Sequence, residues 1–457
     1  MSRARLLAYE CLIEVQKRDA RADSLIDSII DRAHLDAKDK AFATRLVLGV
    51  VQMRGSLDLI LDRCMRKPTD VKMDVRCALR ISAYEIIYLD KDPYACVSQG
   101  VELVKEIAPR AGGVANAVLR KVARAKEAFP FGDPRTDIHA YALLHGFPVW
   151  LVEKQIEDLG SSAAHAFVTA SNEPAPLYIA VNRARARDED VLDAFKEAGF
   201  ALAPATSGGI GTPGCFQVVD RRALADGRIA RLLKGGHFIV SDATSQAIAY
   251  LIASELFGES SPLDPAQTSF LELCAGRGTK TVLLQSDILR LTGHQIDDFT
   301  TLDNIAFKES VLKKRVQDLR IRVRRSITGD ATQLDGPLKT ERFDCVFIDA
   351  PCSGLGTLRR HPEIRWRLHP ADIAAFARTD GRILESAANH VSAGGLLAYA
   401  TCTTTAEEDS AAIVEFLKSD AGAPFDLIPI DGASSFQPPL IPGGPDAHFL
   451  VLMRKAR

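Results

Sequence analysis

From about residue 236 onward, short apolar runs alternate with helix-length amphipathic stretches, and few architectures accept that rhythm. Candidate strands are Phe270–Leu273, Phe299–Leu302, Val323–Ile327, Cys345–Ile348 and Leu396–Tyr399, followed by Asp426–Ile430 and His448–Met453. Helices fit after the first strand, around Ala306, around Pro370 and from Ala406 to Leu417. Strands alternating with helices predict an open, mostly parallel α/β sheet over 236–457. Such sheets place their chemistry at the carboxyl ends of the strands. Two of these strands run straight into cysteine-bearing turns, Asp349-Ala350-Pro351-Cys352-Ser353 and Ala400-Thr401-Cys402-Thr403.

The rest of the chain reads differently. Residues 1–130 carry apolar positions at helical spacing, as in Ala4-Leu7-Ala8-Cys11-Leu12-Val15 and Phe42-Leu46-Gly49-Val50-Met53, and predict an all-α domain. Asp39 and Ser98 are the expected N-caps, and Gly112 opens a basic amphipathic helix. The connector Phe129-Pro130-Phe131-Gly132-Asp133-Pro134 is expected to close that domain. Residues 146–235 then read as a small α+β module. It has helices over 148–159 and 188–198 and strands over 177–182 and 215–219. Tyr178 and Phe216 on those strands are candidate stacking platforms for bases, but strand aromatics are more often core, and core is the preferred reading.

With 457 residues, 47% of them hydrophobic and 25% charged, the chain suits a soluble protein of two or three domains. No apolar run reaches the roughly 20 residues that cross a bilayer. The stretch after Met1 lacks a signal-peptide core, so a cytoplasmic protein is expected. Nine cysteines without a Cys-x-x-Cys pair fit neither a disulfide framework nor a zinc site, and no metal is expected. The net charge of -2 is uneven: residues 1–130 hold 23 Lys/Arg against 18 Asp/Glu, which favours a polyanionic partner. The basic group at 308–325 is read as a solvated helix face. The group Arg359, Arg360, His361, Arg365 with Trp366 follows Cys352 closely, and a guanidinium cluster with an aromatic suits phosphates and an unstacked base.

On the first strand's exit, Cys274-Ala275-Gly276-Arg277-Gly278-Thr279-Lys280 lets backbone approach a ligand at a helix N-terminus. It lacks the spacing of a phosphate P-loop. Asp303 ends the second strand, where doubly wound folds hold ribose hydroxyls, and Asp330 ends the third, where a side chain meets an adenine edge. Together these describe a nucleoside-shaped pocket. If its ligand is S-adenosylmethionine and the second substrate is a cytosine base, carbon 5 is too weakly nucleophilic to be methylated unaided. A thiolate added at carbon 6 activates it, an acid at ring nitrogen 3 stabilises the displaced electrons, and a second base completes the cycle. Cys402, Asp349 and Cys352 supply those three types of group.

These motifs resemble those of the RNA 5-methylcytosine methyltransferases. Asp349-Ala350-Pro351-Cys352-Ser353-Gly354 with Arg360-His361-Pro362-Glu363-Ile364-Arg365-Trp366 is similar to the family's fourth motif. Thr401-Cys402-Thr403 with Glu407-Glu408-Asp409 is similar to its sixth. Val240-Ser241-Asp242-Ala243-Thr244-Ser245-Gln246 resembles the entry to the catalytic domain, and Leu440 to Phe449 resembles the C-terminal hairpin. The helical part, with Phe42-Ala43-Thr44-Arg45-Leu46-Val47 and Asn116-Ala117-Val118-Leu119-Arg120, resembles a NusB-type RNA-binding domain, and the combination points to the Sun/RsmB branch. The resemblance implies a class I, Rossmann-like methyltransferase domain that uses S-adenosylmethionine on small-subunit ribosomal RNA, with the helical domain and the 146–235 module holding the RNA; a monomer is expected. It implies Cys402 as nucleophile, Cys352 in product release and Asp349 at the base. It also implies cofactor contacts from the loop Cys274, Ala275, Gly276, Arg277, Gly278, Thr279 and Lys280, and from Asp303, Asp330 and Asp349. Arg277 and Thr279 depart from the family's Pro-Gly-Gly pattern, and His448 stands where a glycine or phenylalanine is usual. Transfer RNA as substrate, a non-catalytic assembly factor, and a small-molecule or protein methyltransferase are the competing readings.

Overall fold

The computed structural model describes residues 2–18, 20–258 and 261–457, so Met1, at the start of the expected helical domain, lies outside the described residues. The chain forms two compact units. One runs to Pro174 and includes Leu358–Leu368; the other comprises Ala175–Thr357 and His369–Arg457.

The first unit is helical. Long helices at Arg3–Arg18, Ala37–Gln52, Met73–Ile87, Pro93–Ile107 and Gly112–Ala125 bury a shared core that includes Cys11, Leu46, Val50, Leu79, Ile81, Leu103 and Leu119. Two partly buried carboxylate–guanidinium forks brace it. Arg5 reaches both oxygens of Glu85 at 2.8 and 2.7 Å, and Arg80 reaches both of Asp58 at 2.8 Å.

Both expected caps are displaced. Asp36, not Asp39, accepts the capping bond, from the amide of Asp39 at 2.7 Å. Asp92 caps the helix that contains Ser98, because Pro93 with its fixed φ begins that helix. The Phe129–Pro134 connector is no unit boundary either. Phe129 and Phe131 pack on the helical core, and helices Ile138–His145, Val149–Leu159 and Ser161–Ala170 belong to the same unit.

The second unit holds two sheets. Strands β1 (Tyr178–Val181), β2 (Leu202–Ser207), β3 (Ile210–Val218) and β4 (Phe238–Val240) form an antiparallel sheet in the order β2-β3-β1-β4. Helices Asp188–Glu197 and Gly227–Lys234 accompany it, giving a small ferredoxin-like module. β4 pairs with β1, so this sheet runs past residue 235, where the sequence reading ends it. Tyr178 and Phe216 are buried core, as read.

The larger sheet has seven strands: β5 (Ser269–Leu273), β6 (Asp298–Asp303), β7 (Arg325–Thr328), β8 (Phe343–Asp349), β9 (Val391–Thr401), β10 (Phe425–Ile428) and β11 (Phe449–Lys455). Their order is β10-β11-β9-β8-β5-β6-β7, with β5 to β9 mutually parallel and β11 running antiparallel to both of its neighbours, β9 and β10. Separate apolar clusters cover the two faces, as a Rossmann-like sheet requires. Phe270 and Phe299, register partners on β5 and β6, stack with centroids 4.5 Å apart. The chain proceeds from β5 outward to β7, then crosses back to β8 on β5's other side. That switch point opens a crevice at the carboxyl ends of β5 and β8. Among the described residues no helix is long and apolar enough to cross a membrane.

Candidate active site

β5 delivers the glycine loop to this crevice. Cys274, Gly276 and Gly278 all take positive φ, and helix Thr279–Thr292 starts at once. A side chain at Gly278 would meet Leu312 Cγ at 2.9 Å, whereas one at Gly276 would find nothing nearer than Cys274 O at 3.9 Å. Gly278 therefore packs inward while Gly276 presents bare backbone to open space, which is what a closely held ligand needs. The exposed Arg277 and the hydroxyl of Thr279, which accepts a 2.8 Å bond from Arg315, show how the two departures from the family pattern are accommodated.

Asp303, at the end of β6, accepts from the amides of Gly276 and Ile305, each at 2.9 Å. Lys308 Nζ stands 3.7 Å from Oδ2, and the carboxylate retains acceptor capacity for a ribose hydroxyl. Asp330 is exposed and capped by the amide and hydroxyl of Thr332, both at 2.8 Å, which hold its carboxyl below the usual range. The open glycine face, the helix N-terminus and two loop carboxylates fit a nucleoside-bearing ligand such as S-adenosylmethionine.

At the end of β8, Asp349 receives Lys280 Nζ at 2.6 Å. Burial works against the ammonium charge, but the adjoining carboxylate more than offsets it and holds Lys280 above its ordinary range. The two cysteine turns converge beside this pair. Cys352 Sγ lies 3.3 Å from Cys402 Sγ and accepts the Cys402 amide at 3.3 Å; both thiols are free and partly buried. Hydrogen bonding to Cys402 and burial push the Cys352 thiol well up.

Two site groups that the sequence reading quotes receive no role there. Glu408 is fully buried and bonded to the residues that follow both cysteines. Its place in Glu407-Glu408-Asp409 was visible, but its burial was not. His448 is buried with Nε2 3.2 Å from Ser245 Oγ; burial, then the Lys280 charge, bring it down to about 4, so it is a neutral imidazole.

The basic group after Cys352 needs correction. Residues 358–368 belong to the helical unit, not to the unit that carries the thiols. Arg365 is 0% exposed: it donates to Asn172 Oδ1 at 2.8 Å and to the carbonyls of Ser171 and Gly146 at 3.1 and 3.2 Å, and stacks 4.0 Å from the Phe147 centroid. Its guanidinium is spent on protein and cannot reach a phosphate. Trp366 donates its indole N–H to Gln52 O at 3.0 Å, which makes it a packing residue. Arg359 is buried, while Arg360 and His361 are half-buried, with His361 Nε2 3.0 Å from Arg21.

Residues 261–437 match the family described as 16S rRNA methyltransferase RsmB/F, residues 2–124 the NusB family, and residues 147–210 the ferredoxin-like domain of RsmF/B-like methyltransferases. The ribosomal RNA small subunit methyltransferase B of Thermus thermophilus is 30% identical over 421 residues, spanning 90% of this chain and 87% of the relative. The chain belongs to the RsmB/F family of 16S rRNA methyltransferases. The corresponding enzyme of Klebsiella pneumoniae is also 30% identical, over 83% of this chain and 82% of its own. The crystal structure of PH0851 shares the fold, with a TM-score of 0.80 at 19% identity, covering 100% of this chain and 99% of that one. Members of the family are S-adenosylmethionine-dependent enzymes.

Proposed function

We propose that this RsmB/F methyltransferase modifies carbon 5 of one cytosine in small-subunit ribosomal RNA through a covalent cysteine–cytosine adduct. The observation that carries the reading is the 3.3 Å thiol pair at the ends of adjacent parallel strands, next to the Lys280–Asp349 ion pair. Bound S-adenosylmethionine supplies an electrophilic methyl group. Cys402 adds through sulfur to carbon 6 of the base, which leaves carbon 5 enamine-like and reactive. Cys402, the cysteine of the motif that resembles the family's sixth, is assigned the attack, with the Cys352 sulfur 3.3 Å away and accepting the Cys402 amide. Asp349 meets the ring-nitrogen edge and, with Lys280 beside it, steadies the charge displaced by the addition. After the methyl group has been transferred to carbon 5, the proton on that carbon passes to Cys352 acting as base, the carbon 5–carbon 6 double bond re-forms, and the carbon 6–sulfur bond breaks to release Cys402 as thiolate.

Cys274 to Lys280, Asp303 and Asp330 hold the methyl donor. The helical unit, with its basic surplus, holds RNA largely through phosphates, which position rather than specify. A monomer working in the cytoplasm completes the reading. The test is methylation of small-subunit rRNA transcripts by the purified full-length protein, followed by nucleoside mass spectrometry. 5-Methylcytidine at one position is expected. A different methylated nucleoside, or methylation of transfer RNA transcripts alone, would overturn the assignment.

A further inference from the structure

The loops that bear the two thiols are joined by one buried side chain. Glu408 Oε1 accepts the amide of Ser353 at 2.6 Å, and Oε2 accepts the Ser353 hydroxyl at 2.6 Å, the Thr405 hydroxyl at 2.5 Å and the Thr403 hydroxyl at 3.4 Å. Ser353 follows Cys352 and Thr403 follows Cys402, and their hydroxyls also meet at 2.5 Å. The carboxylate is itself anchored. Tyr399 donates to Glu408 O at 2.6 Å, and the neighbouring Asp409 accepts Thr401 Oγ1 at 2.5 Å.

We infer that Glu408 is a positioning residue that sets the separation of the Cys352 and Cys402 sulfurs by clamping both cysteine loops to one carboxylate. The inference rests on the reading of those cysteines as the reacting pair.

The chemistry favours a carboxylate over any other side chain here. The Ser353 amide can only donate, and the Ser353, Thr403 and Thr405 hydroxyls can turn their O–H bonds to a carboxyl group that offers acceptors on both oxygens. Burying such a group is costly unless its oxygens are hydrogen-bonded, and these are. A glutamine that keeps its oxygen on the Ser353 amide puts an N–H pair at the three hydroxyls, which then lose the acceptor for their own O–H bonds and have to re-pair where Ser353 Oγ and Thr403 Oγ1 already meet at 2.5 Å. Covalent catalysis through two thiols is sensitive to such movement, because a displacement of about 1 Å can cost roughly 10²-fold in rate.

The test uses full-length Glu408→Gln and Ser353→Ala, each with two readouts. The first is kcat and KM for small-subunit rRNA and S-adenosylmethionine. The second needs no RNA: the rate at which diamide, itself reduced to the hydrazine, oxidises Cys352 and Cys402 to a disulfide, located by peptide mapping. For Glu408→Gln the expected result is a fall in kcat of about 100-fold with KM unchanged, and a disulfide rate shifted away from wild type. Ser353→Ala, which keeps the backbone bond to Glu408, is expected in between, and it carries the test if Glu408→Gln does not fold. Wild-type kcat and disulfide rate in both variants would overturn the clamp. So would a kcat loss that merely follows the unfolded fraction while disulfide formation is unchanged. If wild type makes no 5-methylcytidine but its disulfide rate depends on Glu408, the functional reading fails and the clamp stands. An active wild type with an indifferent Glu408→Gln gives the reverse.

Discussion

A carboxyl group inside a parallel sheet is tolerated chiefly as the neutral acid. Glu272 on β5 is 0% exposed, and burial raises it to about 8, against one bond from the Thr281 hydroxyl at 2.6 Å that favours the ionised form. Its unfolded value is about 4.3. Below that value both states hold the proton and its stabilising contribution is full. Between about 4 and 8 only the folded state keeps the proton, so stability falls as pH rises and the contribution is gone above the folded value. Glu272→Gln is therefore expected to flatten the decline in melting temperature between pH 5 and pH 8. A slope equal to wild type would show that Glu272 is ionised in the folded protein. At this scale the sequence was uneven. Cys352, Cys402 and Asp349 stood out because three chemically distinct groups follow strand ends. Glu408 and Glu272 did not, because an acid in a motif and an acid on a surface look alike until burial is known.

Among the elements, Leu358–Leu368 departs furthest from its sequence reading. Its arginines and tryptophan were expected to face RNA, but Arg365 and Trp366 are fastened into the helical unit. Arg365 has no carboxylate partner among its bonds, and burial brings it down to about 9; carbonyl oxygens, an amide oxygen and the Phe147 ring are what hold the charge. Arg365→Ala is expected to cost the helical unit about 2–4 kcal/mol in urea unfolding, with little rescue by lysine, which lacks the planar fork. Loss of RNA affinity with unchanged stability would instead restore the phosphate-contact reading. The strands were more legible than this segment. β5, β6, β8 and β9 announce themselves as apolar runs. β2 and β4 did not, and both are edge strands. β2 carries Pro204, which an edge tolerates and a central strand does not, and β4 has only three residues.

At the scale of the whole molecule, the three-part reading of helical domain, small α+β module and Rossmann-like sheet is what the chain folds into. Its boundaries were less legible. The chain passes between the two units at 174–175, 357–358 and 368–369, and no composition shift marks the last two. An insertion that leaves one unit, folds into another and returns is defined by distant partners such as Gly146 and Ser171, not by local pattern. The proposed reaction rests on the thiol pair at the ends of β8 and β9 being the reacting pair that bonds, methylates and releases one base. The most direct test traps that bond. Cys352→Ala and Cys402→Ala proteins are each incubated with small-subunit rRNA and S-adenosylmethionine and run on a denaturing gel. A covalent protein–RNA band that accumulates with Cys352→Ala and is absent with Cys402→Ala is the predicted result. A band from Cys402→Ala alone would contradict the assignment of the nucleophile, and no band from either variant would contradict the covalent mechanism.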